Sequence, residues 1–198
     1  MRNMTMNRIP PLEPAKATGM AKELFEGAQE KYGFVSNLLR VFGHQPAVLA
    51  GYLSFNGALA AGSFSAPLRE QIALAVAEAN LCSYCLSIHS FIGTQVGLST
   101  ADVSAARQAS AATRRTDAVL KLARSIIVLR GEISDADVAH ARAAGLTDSD
   151  IVETVANVAV NTFLNYMNHV ARPALDFPEV RPGVGYEAIS RAGDPPQT

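Results

Sequence analysis

The sequence predicts an all-α fold, and three observations favour it. Hydrophobic residues make up 48% of the chain, whereas aromatic residues make up 7% and tryptophan is absent, which is typical of closely packed helices. Apolar residues recur at helical spacing, as at Ile72, Ala75 and Ala79. No segment alternates between apolar and polar residues for long, and no hairpin turn separates β-branched runs. A length of 198 residues suits one domain with tails.

The N-terminal third is expected to hold an arm and three helices. Prolines at positions 10 and 11 predict an extended arm over residues 1–13. A first helix is expected to begin at Pro14, because proline is tolerated in a first turn, and to end at Gly33. Two short apolar helices are expected at 36–43 and 46–62.

The central segment also predicts three helices. The first begins after Ser65, a residue type that caps helices, and runs to Leu81. The second covers 82–97 and contains no helix breaker before its final glycine. The third follows Ser99, a second capping residue.

The C-terminal segment predicts three more helices and a tail. These helices cover 113–131, 134–145 and a long stretch after Thr147 that Pro173 ends. Residues 14–175 are therefore expected to form one helical domain. Residues 176–198 are rich in proline and glycine, which predicts an extended or disordered tail.

A faint internal likeness links two of these segments. Residues 69–90 and 148–170 share a pattern of apolar and polar residues, with His89 and His169 in similar places. An ancient duplication of helical units would explain the likeness, and so would the general similarity of two amphipathic helices.

Charge and hydropathy exclude several classes of partner. The formal net charge is −1 and no basic block occurs, which argues against nucleic acid and anionic membranes as partners. No apolar run reaches the roughly 18 residues of a membrane span, and the N-terminus lacks the pattern of a signal peptide. The sequence therefore predicts a cytoplasmic protein, and it suggests no cofactor.

Cys82, Cys85 and His89 are the residues that point most directly to chemistry. Their spacing of three and four places them on one face of a helix. A thiol attacks only as thiolate, and at an ordinary pKa of about 8.5 only about 3% of it is ionised at pH 7. The helix N-terminus and His89 are both expected to lower the pKa of Cys85, so that this thiol ionises below pH 8.

A second thiol nearby suits a redox cycle. Peroxide converts one thiolate to sulfenic acid, and the neighbouring thiol condenses with it to form a disulfide. Two other interpretations stay open: the cysteines are small buried apolar residues, or they contribute to a zinc site. Zinc is disfavoured because this segment supplies only three ligands. A thioredoxin-like unit is disfavoured because the preceding segment is helical rather than a strand.

The spacing of these residues resembles the signature of a known family. Glu70, eleven residues, Cys82-Ser83-Tyr84-Cys85, three residues and His89 resemble AhpD-like alkylhydroperoxidases of the carboxymuconolactone decarboxylase superfamily, in a peroxidase-related branch. The resemblance covers roughly residues 10–180. It implies an all-helical fold, a homo-oligomer that is often a trimer or hexamer, and thiol-dependent reduction of hydroperoxides.

The resemblance also implies a role for each site residue. Cys85 attacks the peroxide, Cys82 resolves the intermediate, His89 relays protons and Glu70 orients or assists that relay. An external dithiol, from a lipoyl protein or a thioredoxin-like protein, is the implied reductant. Tyr84 departs from the best-known members, which have a histidine directly before the second cysteine. A phenol is a poor base near neutral pH, so this departure removes part of the relay.

Glu70 can take its role only if the chain bends. On one continuous helix, twelve residues would separate Glu70 from Cys82 by about 18 Å. Without the family resemblance, Glu70 is a solvated carboxylate in a first helical turn. Glu78, one turn before Cys82, is the weaker alternative for a carboxylate beside the thiols.

Four polar residues form a stripe on the last long helix, namely Asn161, Asn165, Asn168 and His169. The favoured interpretation is a hydrogen-bonded contact between helices or subunits, since buried amides need partners. The sharper alternative is that Asn165 or His169 lines a pocket beside the dithiol.

Two rival functions remain for the chain as a whole. A lyase of the decarboxylase type would use the same pocket, although decarboxylases of this superfamily usually lack the cysteine pair. A non-catalytic redox sensor would instead oxidise once per chain and change its shape or partners.

Overall fold

The computed structural model describes residues 7–183, and all regular structure in that range is helical. A 3₁₀ turn at Pro14–Lys16 precedes nine α-helices: α1 (Gly19–Tyr32), α2 (Asn37–Phe42), α3 (Pro46–Ala60), α4 (Ala66–Ala79), α5 (Ser83–Gln95), α6 (Thr100–Arg107), α7 (Arg114–Val128), α8 (Asp135–Ala143) and α9 (Asp148–Ala171). The predicted all-α class is confirmed.

Helix α4 lies at the centre of the molecule. It packs against α5, α6, α7 and α9, and its residues Ile72, Leu74 and Val76 are completely buried. Every residue from Gln71 to Glu78 is buried, so neighbours cover this part of the helix on every side. The remaining helices pack around this axis, with α1 against α3, and α3 against α9.

The capping residues that the sequence predicts begin several of the helices. The Ser65 hydroxyl accepts a hydrogen bond from the backbone N–H of Leu68 at the start of α4. Ser99, Ser134 and Thr147 each form a capping box with the aspartate three residues later. Such caps satisfy N–H groups that a helix leaves without an intrahelical partner.

The first predicted helix begins later in the structure than expected, whereas the last one ends where the sequence predicts. The helix expected from Pro14 begins only at Gly19, because Ala17 is extended and Gly19 adopts a left-handed φ of 54°. Helix α9 ends at Ala171, before Pro173, and Arg172 is left-handed with a φ of 49°. A residue that precedes proline avoids the helical region, so the helix ends before Arg172.

A tight reversal separates α4 from α5. Leu81 adopts a left-handed φ of 55°, and the backbone N–H of Cys82 donates to the carbonyl of Ala77 at 2.9 Å. The chain therefore turns back on itself, and α5 packs against α4. The segment that resembles this one in sequence forms the single continuous helix α9, so the internal likeness does not extend to a repeated hairpin.

Two extended segments cross the helices. In the N-terminal arm, the N–H groups of Arg8 and Ile9 donate to the carbonyl of Ala171. At the other end, residues 174–183 form an extended segment, here called the C-terminal strap, which is hydrogen-bonded to Asn37, Glu78 and Ser87. The parts of the predicted arm and tail at 1–6 and 184–198 lie outside the described residues. Within 7–183, no helix is both long and apolar enough to cross a membrane.

Candidate active site

The two cysteines lie at the N-terminus of α5. Cys82 is the N-cap residue and Cys85 is the third residue of the helix. Both side chains are free thiols, and each residue is only 2% exposed. The expectation that the dithiol occupies the first turn of a helix is therefore confirmed.

The two buried thiols hold negative charge unequally. A hydrogen bond from Cys85 holds the pKa of Cys82 below its usual value, and the backbone N–H groups of Cys85 and Tyr84 and the His89 ring lower it further. Burial raises the pKa of Cys85 well above its usual value, and the adjacent Cys82 raises it again. The expectation that Cys85 is the readily ionised thiol is wrong, because Cys82 takes the helix-capping position and Cys85 lies against apolar surroundings.

Glu70 and His89 face each other across the α4–α5 hairpin. Oε2 of Glu70 lies 2.7 Å from Nδ1 of His89, and the two side chains are 18% and 14% exposed. The reversal at Leu81 supplies the bend that the sequence analysis required. A carboxylate on Nδ1 fixes the orientation of the ring and directs Nε2 away from Glu70.

Glu78 has a different set of partners. Its carboxylate accepts from Nε of Arg107 at 2.8 Å and from the backbone N–H of Gly183 at 2.6 Å. It therefore anchors the C-terminal strap to α4 and α6 instead of facing the thiols. Within residues 7–183, no group of three or more His, Cys, Asp and Glu side chains is arranged to hold a metal ion.

Tyr84, between the two cysteines, is an anchor for the strap. Its hydroxyl donates to Oδ2 of Asp176 and accepts from the backbone N–H of Leu38 at 3.1 Å. Burial raises the pKa of the Tyr84 phenol far above its usual value, and the carboxylate of Asp176 raises it further. The phenol therefore stays protonated and cannot act as the base that a histidine at this position would supply.

The polar stripe on α9 divides into two parts. Nδ2 of Asn168 donates to Sγ of Cys85 at 3.1 Å, and Oδ1 of Asn165 accepts from Asn80 at 2.9 Å. Asn161 instead donates to a carbonyl of its own helix. The exposed His169 binds the backbone carbonyl of Asn80 at 2.8 Å and does not line the cavity beside the thiols.

A cavity of about 330 Å³ opens beside the dithiol. Among the described residues that line it are Cys85, His89 and Glu70, but not Cys82. Much of the remaining wall is aromatic or aliphatic, including Phe34, Tyr52, Ile88, Ile92 and Leu164. The cavity therefore places an apolar chamber in contact with one sulfur and one imidazole.

Sequence analysis did not single out Tyr52, which lies in α3 and lines this cavity. Burial raises the pKa of its phenol, and the nearby Glu70 and Cys85 raise it further. Nothing in the local sequence of α3 marks Tyr52, because its place in the site depends on how α3 packs. Phe34, in the loop before α2, was missed for the same reason.

The comparisons with known proteins agree with the all-helical fold. Residues 46–127, which run from α3 into α7, match the carboxymuconolactone decarboxylase family. An AhpD-core peroxidase-related protein from Ralstonia eutropha JMP134 superposes with a TM-score of 0.75 at 25% identity, over 85% of this chain and 92% of that one. The chain therefore resembles the carboxymuconolactone decarboxylase family over its central part and shares its fold with an AhpD-core protein.

Two further solved structures share this fold. A peroxidase-related protein from Silicibacter sp. TM1040 superposes with a TM-score of 0.75 at 24% identity, over 86% of this chain and 94% of that one. The debrominase Bmp8, as a cysteine-to-alanine variant with 2,3,4-tribromopyrrole, superposes with a TM-score of 0.74 at 18% identity, over 94% and 98% of the two chains. No curated protein matches the sequence significantly.

Proposed function

We propose that this protein is a dithiol-dependent peroxidase that reduces organic hydroperoxides through Cys82 and Cys85. One observation carries the proposal: Cys85 and the His89–Glu70 pair line the same cavity, while a second thiol lies beside Cys85 outside the cavity wall. A substrate in this cavity would meet a sulfur nucleophile and a proton relay together. The second thiol would be ready to complete a disulfide.

The first step consumes the peroxide. The proton of Cys85 moves to the thiolate of Cys82, and the Cys85 thiolate attacks the terminal oxygen of R–O–O–H. A sulfur–oxygen bond forms, the O–O bond breaks, and Cys85 becomes a sulfenic acid. Protonated His89 gives its proton to the departing alkoxide, which leaves as an alcohol. Cys85 is the proposed attacking residue because it lines the cavity, whereas Cys82 does not. Before the peroxide binds, the negative charge lies mainly on Cys82.

The second step closes the disulfide. Neutral His89 takes the proton from Cys82, and the Cys82 thiolate attacks the sulfur of the Cys85 sulfenic acid. The S–O bond breaks and hydroxide leaves, taking the proton from His89 to form water. Two thiols and one hydroperoxide have then become one disulfide, one alcohol and one water. Glu70 stabilises the imidazolium that forms before each proton is delivered.

An external dithiol would complete the cycle by thiol–disulfide exchange. It reduces the Cys82–Cys85 disulfide and is itself oxidised to a disulfide. A lipoyl protein or a thioredoxin-like protein is the proposed donor, following the family resemblance. A cytoplasmic location would suit this chemistry, since thiols are kept reduced there.

A homo-oligomer, trimeric or hexameric, is also part of this proposal. Helix α9 presents a row of exposed apolar side chains that supports it: Val152 is 69% exposed, Tyr166 60% and Val170 57%. Sedimentation velocity at micromolar concentration would measure the assembly. A species of one chain only would contradict this part of the proposal.

Steady-state turnover tests the proposed function. With cumene hydroperoxide and excess dihydrolipoamide, the wild type should consume many equivalents per chain, and Cys85→Ser or Cys82→Ser should lose at least about a hundredfold in rate. Ser90→Ala, a matched change on α5 outside the cavity wall, should keep the rate. Consumption of a single equivalent would indicate a redox sensor instead. A lyase acting in the same pocket would be indifferent to Cys85→Ser.

A further inference from the structure

Two buried amides from α9 approach the sulfur of Cys85. Nδ2 of Asn168 donates to Sγ at 3.1 Å, and the Asn168 residue is 5% exposed. Asn165, one turn earlier on the same face, is completely buried. Both amides lower the pKa of Cys85 against the larger effect of burial.

The orientation of the Asn165 amide is fixed from the other side. Asn80 donates to its Oδ1 at 2.9 Å, so its Nδ2 points away from Asn80. Among residues 7–183, Nδ2 of Asn165 is buried and has no hydrogen-bond partner. The same is true of Oδ1 of Asn168. A buried polar group without a hydrogen-bond partner lowers the free energy of unfolding. Proteins therefore retain such a group where it gains a partner during function.

Two other asparagines on α9 behave differently. Nδ2 of Asn157 donates to the carbonyl of Glu153 at 2.8 Å, and Nδ2 of Asn161 donates to the carbonyl of Asn157 at 2.9 Å. These amides are satisfied within their own helix, although they are as buried as Asn168. Only the pair nearest α5 directs its N–H groups toward the site.

We propose that Asn168, which contacts the Cys85 sulfur, and Asn165 beside it stabilise negative charge on that sulfur, so that the charge can move there from Cys82. Charge on a sulfur that is almost fully buried needs donors, and a thiolate accepts hydrogen bonds more strongly than a thiol. The inference rests on the proposed function only in making Cys85 the attacking sulfur. The amides thus compensate for the burial that otherwise disfavours the reactive thiolate.

Several other groups face Cys85 and must be held constant in a test. Cys82 and His89 approach from α5, Glu70 from α4 and Tyr52 from α3. Cys82→Ser removes the coupled thiol and leaves Cys85 as the only cysteine of the chain. Serine is a good N-cap residue, so the start of α5 is preserved. His89, Glu70 and Tyr52 are unchanged in every variant compared.

The test is the pH profile of iodoacetamide alkylation of Cys85, followed by intact mass in the Cys82→Ser background. Asn168→Leu and Asn165→Leu should each raise the midpoint by about one pH unit, which lowers the alkylation rate at pH 7 about tenfold. Asn161→Leu, an equally buried change on the same helix, should leave the midpoint in place. Thermal unfolding by circular dichroism checks that each chain is folded, and Asn168→Ser replaces any Asn168→Leu chain that is not.

The outcomes separate this inference from the proposed function, because the assay contains no peroxide. An unchanged midpoint in folded Asn168 and Asn165 variants would overturn the inference, even if the wild type turns over hydroperoxide. An equal shift in Asn161→Leu would also overturn it, because the effect would then be a general loosening of α9. A shift confined to Asn165 and Asn168 supports it, even if peroxide turnover is absent.

Discussion

Nδ1 of His89 lies 2.7 Å from Oε2 of Glu70, although 19 residues separate the two positions in the sequence. The contact exists because the chain reverses at Leu81 between α4 and α5. It converts a carboxylate that would otherwise be solvated into a group that orients an imidazole. Both side chains are mostly buried, so water screens the interaction only in part.

Removing the charge of Glu70 should slow the reaction with peroxide. Glu70→Gln keeps the size of the side chain but no longer stabilises an imidazolium, so the rate should fall at least about tenfold. Stopped-flow mixing with cumene hydroperoxide measures the rate. Glu78→Gln is the matched control on the same helix, since Glu78 binds Arg107 and the strap instead. Equal rates for wild type and Glu70→Gln would remove Glu70 from the proton relay.

The two thiols should titrate separately. Because Cys85 and backbone N–H groups lower the pKa of Cys82, while burial raises the pKa of Cys85, one thiolate should form below the usual thiol range and the second well above it. Thiolate absorbance at 240 nm follows the first step. In Cys85→Ala, which lacks the donating side chain, the midpoint of Cys82 should move upward.

The lowered pKa of Cys82 predicts the direction in which the peroxide reaction depends on pH. A group whose pKa is lowered stays charged as the pH falls, so the peroxide reaction should persist below the usual thiol range and decline only below the first midpoint. In Cys82→Ser the low midpoint should disappear, because Cys85 alone ionises late. If the wild type showed a single midpoint at or above the usual thiol range, the prediction that Cys82 ionises before Cys85 would be wrong.

Tyr84→Phe should destabilise the fold without changing the pH dependence of the reaction rate with peroxide. Phenylalanine keeps the ring but leaves the backbone N–H of Leu38 without its acceptor and releases Asp176 of the strap. A buried donor left without a partner costs about 1–3 kcal/mol, so the free energy of unfolding should fall by that amount. Urea unfolding measures the loss. A changed pH dependence of the peroxide rate would show that the phenol takes part in proton transfer.

Much of the fold follows from local sequence signals. Caps such as Ser65 and Ser134 mark helix starts, because their hydroxyl groups satisfy N–H groups that lack intrahelical partners. The helix expected at Pro14 begins later because Gly19 takes a left-handed conformation that a proline signal does not anticipate. Local rules thus locate elements better than they locate their ends.

The site was less accessible to sequence reasoning. The spacing of Cys82, Cys85 and His89 places them on one helix face, which is a local property of the chain. Tyr52 and Asn168 reach the site only through the packing of α3 and α9, and no local sequence pattern predicts such contacts. The unequal charge of the two thiols likewise depends on burial, which is a property of the whole fold.

Intact mass and free-thiol counts after one equivalent of organic hydroperoxide test the two-thiol cycle most directly. The account predicts that the wild type rapidly loses both thiols and about 2 Da, as two hydrogens leave with the disulfide. Cys82→Ser should gain about 16 Da, because its Cys85 sulfenic acid has no partner, and Cys85→Ser should keep its mass. Survival of both thiols in the wild type would contradict the account.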